Sequence, residues 1–116
     1  MLNAISVDVE GFAESNVESF PIPSSFLDPA ARDREVAANV RVVLDLFAAA
    51  GTRATLFFLG RIARDDPGLV REAADAGHEI GCHGEEHLRI FNLDPRAFAA
   101  GGQLARQRRR DRKSVV

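Results

Sequence analysis

The sequence predicts an α/β protein built from parallel βαβ units, on three observations. Short apolar, β-branched runs occur at residues 2–9, 53–59 and 79–82. Segments of helical period separate them, and Asp-Pro and Gly punctuation opens and closes those segments. Strand, helix, strand, helix, strand in this order implies parallel pairing with right-handed crossovers.

The first run, LNAISVDV, alternates and is rich in β-branched residues, so it is expected as a buried strand ending at Asp8-Val9-Glu10. A polar stretch over 13–28 follows, with Pro21 and Pro23 one residue apart. Two prolines so spaced cannot sit inside a helix, so a loop is expected. Asp28-Pro29 reads as an N-cap and first helical residue. From about 33 to 50, Val36, Val40, Val43, Leu44, Phe47 and Ala48 recur at helical spacing, and Gly51 ends the helix. RATLFFL (53–59) is a continuous apolar run between Gly51 and Gly60, the signature of a second buried strand. A short helix is expected from Asp66-Pro67 to Gly77, and a brief third strand at 79–82 delivers His83. A last helix is expected from Asp94-Pro95 to about 106, weakened by Gly101 and Gly102.

At 116 residues the chain holds one domain. The organisation expected is a domain over 1–105 and a basic, disordered tail over 106–116. That tail holds Arg106, Arg108, Arg109, Arg110, Arg112 and Lys113 against Asp111. Residues 1–105 carry nine Lys and Arg against sixteen Asp and Glu, so about −7 of the overall −2 sits in the body. Such a body repels a phosphate backbone, and nucleic acid is not an expected partner. Eight Phe with no Trp or Tyr argue against an aromatic platform for stacking sugars or bases. Cys82 is alone, so no intramolecular disulfide is expected. No segment approaches the ~20 apolar residues of a membrane span, and no basic n-region leads an apolar stretch. A cytoplasmic location is the expectation.

All three histidines, His78, His83 and His87, fall within ten residues. His83 and His87 are four apart, a spacing that one helical turn would bring to a common face and a common metal ion. Asp8 and Glu10 leave the first strand on the rim where His83 and His87 leave the third. Two imidazoles and a carboxylate with open positions suit Zn²⁺. One acid would then bind metal and the other transfer a proton, against the plainer alternative of two polar residues ending a strand. For His78 a structural bond is expected, for Cys82 a small buried side chain, and for Arg53 and Arg61 solvated positions. His83, Glu86 and His87 also fit the inverted zincin pattern of a zinc peptidase. That pattern needs a continuous helix, which Gly81 and Gly84 oppose at about 1 kcal/mol each.

SVDVEGF (6–12), GTRATLFFLG (51–60) and AGHEIGCHGEEH (76–87) together resemble the polysaccharide deacetylase family with its NodB-homology domain. The D-V-E opening is similar to a subgroup associated with exopolysaccharide and protein-sorting gene clusters. The resemblance covers residues 1 to about 100 and implies the N-terminal part of a distorted (β/α) barrel. It implies metal-dependent hydrolysis of a non-peptide carbon–nitrogen bond, deacetylating N-acetylated oligo- or polysaccharides. It also implies Glu10, His83 and His87 as ligands of a divalent metal, Zn²⁺ first, with Asp8 as general base. The family's later motifs, including its Arg-containing loop and late His, have no counterpart here, and no residue stands out as general acid. A truncated chain of low activity is therefore one expectation. Another is a catalytically inactive metal- or partner-binding fragment that self-associates through an open sheet edge.

Overall fold

A computed structural model describes residues 2–113, with the side chains of 105, 106 and 108–113 outside the description. Three parallel strands, β1 (Ser6–Val9), β2 (Thr55–Phe58) and β3 (Glu79–Cys82), form one sheet in that order. Ser6, Thr55 and Glu79 are in register, as are Asp8, Phe57 and Gly81. Among the described residues, five α-helices accompany them: α1 (Phe12–Asn16), α2 (Pro29–Ala49), α3 (Gly60–Asp65), α4 (Pro67–Asp75) and α5 (Pro95–Lys113).

Three helices start on the same chemistry. Asp28 accepts from the Ala31 N–H at 2.9 Å, Asp66 from Leu69 at 3.1 Å and Asp94 from Ala97 at 2.9 Å. Each satisfies an N–H that the helix leaves orphaned, and Pro at the next position has no N–H to lose. Two helices end alike, at Gly51 (φ +61°) and Gly77 (φ +89°). In each case the following residue donates back across the turn, Thr52 to the Phe47 carbonyl and His78 to that of Ala73. Only glycine enters that left-handed conformation without strain. These caps are why the boundaries expected from Asp-Pro and Gly hold.

One face of the sheet is packed. Leu56, Phe58, Ile80 and Val9 meet Val36, Val40 and Leu44 of α2, Ile62 and Ala63 of α3, and Leu69, Val70 and Ala73 of α4. Side chains alternate faces along a strand, so Ser6, Asp8, Thr55, Phe57 and Glu79 share the other side, where Ser6, Asp8 and Glu79 are exposed.

Four expectations need correction. β1 is an edge strand rather than a buried one, and within it only Val9 is buried. The 13–28 loop contains α1 and a 3₁₀ turn at Ser24–Phe26, because both fit before and after the Pro21/Pro23 pair. α3 was absent from the sequence pattern, since its six residues are too few to show a period. α5 continues to Lys113, past the end near 106 expected of the last helix; Gln, Leu, Ala and Arg are strong helix formers and extend it. Residues 114–116 of the expected tail lie outside the described residues. No helix among the described residues is long and apolar enough to cross a membrane.

Candidate metal centre

The carboxyl ends of β1 and β3 lie on one rim because the strands are parallel. Glu10 follows β1 directly and His83 follows β3 directly. The His83 N–H donates to the Phe58 carbonyl at 3.0 Å, which extends the sheet ladder by one residue past β3. The next two carbonyls, of Gly84 and Glu85, accept from the Gly60 and Arg61 N–H groups of α3 at 2.8 and 3.0 Å. The orphan donors at the start of α3 thus hold the histidine loop.

That loop is not helical. Gly84 has φ +84°, and His83 and His87 are brought together by the turn it makes. The helical turn expected from their spacing is corrected accordingly. The inverted zincin arrangement loses its required helix, and Glu86 is exposed rather than gathered with the histidines. Beyond His87, Glu18 ties the chain down, accepting from the Arg89 N–H and from Asn92 Nδ2, both at 3.0 Å.

Glu10, His83 and His87 converge. Glu10 Oε2 is 3.2 Å from His83 Nε2 and 3.2 Å from His87 Nε2. One ligand atom from each lies within 4.8 Å of the others. A tetrahedral ion bound at about 2.1 Å sets neighbouring donors about 3.4 Å apart, close to both distances. Two imidazole nitrogens and one carboxylate oxygen, all partly buried, are also the donor types that Zn²⁺ takes. The donor set fits a divalent ion. Asp8 stands apart, 55% exposed, with Oδ1 3.9 Å from His83 Nδ1, beyond hydrogen-bond range. Beside His83 a largely apolar cavity of about 490 Å³ opens between Cys82, Leu88, Ile90, Leu93 and Phe98. Its size is that of a small-ligand pocket.

The other residues singled out divide. His78 is buried, its Nδ1 accepts from the Ala54 N–H at 3.1 Å, and its ring lies 5.4 Å from that of Phe47. It joins the strands and takes no part in the centre. Cys82 is half-buried at the cavity wall. Arg53 is exposed as expected, whereas Arg61 is corrected: its side chain is only 12% exposed. It pairs with Asp65 one turn along α3, and with Glu14 and Asp33, two distant acids it meets only after folding. The parallel-strand rule could have found it, since Arg61 follows β2 on the rim shared by Glu10 and His83. Glu14 and Glu18 carried no such signal.

Comparison with known proteins adds three findings. The family model described as polysaccharide deacetylase matches residues 29–110, a span that includes His83 and His87 and begins after Asp8 and Glu10. No curated protein matches the sequence. Solved structures share the fold. A Mycobacterium smegmatis protein named after the polysaccharide deacetylases is 26% identical, with TM-score 0.69, over 97% of this chain and 39% of its own. The allantoinase PuuE is 19% identical, with TM-score 0.74, over 94% of this chain and 42% of its own. A peptidoglycan N-acetylglucosamine deacetylase is 18% identical, with TM-score 0.65, over 94% and 40%. The chain therefore spans well under half the length of these structures.

Proposed function

The chain belongs to the polysaccharide deacetylase family, and from that premise we propose that Glu10, His83 and His87 form the metal centre of a hydrolase for non-peptide carbon–nitrogen bonds. Its substrates are N-acetylated oligo- or polysaccharides, from which it removes acetyl groups. One observation carries the proposal: a single carboxylate oxygen of Glu10 stands 3.2 Å from the Nε2 atoms of both histidines.

Glu10, His83 and His87 would hold the ion, with Zn²⁺ the best match to their donors. When bound, the ion supplies Lewis acidity toward an acetyl carbonyl and toward water. Asp8 is the general base. Its carboxylate is open to solvent and stands beside a ligand of the centre, so it can take the proton that an attacking water must lose. The cavity that His83 lines with Leu88, Ile90 and Phe98 offers an apolar wall to a part of the substrate lying beside that ligand.

A second reading is favoured by a separate observation. Among the described residues the sheet has three strands with both edges open, and the chain spans 30–42% of its structural neighbours. A catalytically inactive module that binds metal, or a second copy through those edges, fits this equally. The test is metal content of the purified wild type against His83→Ala and His87→Ala, with acetate release from N-acetylated oligosaccharides assayed in parallel. One ion per wild-type chain, lost in both variants, supports the centre. Equal, sub-stoichiometric metal in all three proteins rejects it. Stoichiometric metal without acetate release selects the inactive module.

A further inference from the structure

We infer that Arg61 is the positioning residue of this centre, fixing the segment that carries Glu10 against the loop that carries His83 and His87. The inference rests on reading those three residues as metal ligands. Glu10 and His83 are 73 positions apart, so their alignment must come from something that grips both segments. Arg61 grips both with different groups.

Its guanidinium reaches three helices. Nη2 pairs with Glu14 Oε1 of α1, while Nη1 bonds Asp33 Oδ1 of α2 at 2.9 Å and reaches Asp65 Oδ2 of α3 at 3.4 Å. Glu14 passes the constraint on, because its other oxygen accepts from the Gly11 N–H at 2.9 Å, and Gly11 adjoins Glu10. The Arg61 backbone N–H holds the opposite segment, donating to the Glu85 carbonyl at 3.0 Å between His83 and His87. Burial by itself would weaken the charge on this guanidinium; the Asp33 hydrogen bond and the Glu14 and Asp33 carboxylates outweigh it and raise the pKa. The cation is therefore permanent, and its planar fork can serve several acids at once. Arg61 touches no ligand atom. It acts through Glu14 and the backbone, in the manner of the outer-shell groups whose loss weakens metal sites 10–100-fold.

The test is titration of the full chain with Co²⁺, reading its visible absorption and its affinity by chelator competition. Circular dichroism reports folding in the same samples. Arg61→Met should bind Co²⁺ about 10–100-fold more weakly than wild type with an altered absorption band. Arg61→Lys should recover part of that loss, since an ammonium supplies the charge without the fork. Glu14→Gln, which keeps Arg61 and the local volume, should shift affinity in the same direction. A folded Arg61→Met with wild-type affinity and band overturns the inference, even if it melts earlier. Should Arg61→Met not fold, a folded Glu14→Gln with wild-type affinity overturns it instead. A wild type that takes up no stoichiometric Co²⁺ overturns the metal reading and this inference with it. Variants that match a wild type which does bind overturn the inference alone.

Discussion

The two faces of the sheet obey different rules although they share the same twelve strand residues. On the packed face Leu56, Ile80 and Phe58 are 0–3% exposed and touch three helices. On the bare face Ser6, Asp8 and Glu79 are exposed, and Phe57 lies across Gly81. The first face holds the fold together through apolar area removed from water. The second contributes little to that and carries Asp8 instead. Stability and the proposed chemistry are thus segregated by the alternation of the strand, residue by residue.

The largest way to break the comparison is Leu56→Ala. Leu56 is fully buried at the middle of the packed face, so truncation should cost about 2–5 kcal/mol through lost transfer energy and an unfilled cavity. Urea denaturation followed by circular dichroism reads the loss. A cost below about 1 kcal/mol would mean that this face is not the packed core described, since only loosely packed sites collapse so cheaply.

Gly81→Ala probes the bare face. A Cβ at Gly81 would overlap the Phe57 ring, which must swing away from the sheet. Overpacking of this kind costs about 1–3 kcal/mol where the neighbour is held. Here the ring has solvent beside it, so the low end of that range is expected. The double variant with Phe57→Ala should be less destabilised than the two changes added separately. Simple additivity would show that Phe57 does not rest on Gly81, and that the bare face has no packing of its own.

How much of this was visible beforehand depends on whether the determinant is local. The caps at Asp28, Asp66 and Asp94 and the turns at Gly51 and Gly77 act within five residues of themselves, so their sequence signatures could be read. The apolar runs likewise marked the strands. Edge position is not local: β1 reads as apolar, and only its place in the sheet exposes Ser6 and Asp8. The histidine pair was legible as a pair, but its geometry was not, because Gly84 gathers it in a turn where spacing suggested a helix. The burial of Arg61 is not legible, because beyond the neighbouring Asp65 the acids that surround it, Glu14 and Asp33, come from two other helices.

The smallest structural effect and the sharpest contrast belong to Asp8→Asn. Asp8 is one register position from Leu56, which pairs with Val7, yet it lies on the opposite face and its side chain is 55% exposed. Asparagine preserves the shape and removes the charge. An exposed site of this kind changes stability by about 0.5 kcal/mol or less. Metal content should also hold, because Asp8 lies outside the converging trio of Glu10, His83 and His87. Loss of the base should nevertheless lower any acetate release by about 10²–10⁴-fold, the usual contribution of general base catalysis. The three readings must therefore part company in one protein: denaturation midpoint and bound metal unchanged, turnover collapsed. If Asp8→Asn instead lost its metal, Asp8 would be a ligand and the division of labour between it and Glu10 would be reversed. If it melted several degrees lower, the bare face would be structural after all, and the segregation of stability from chemistry across this sheet would fail.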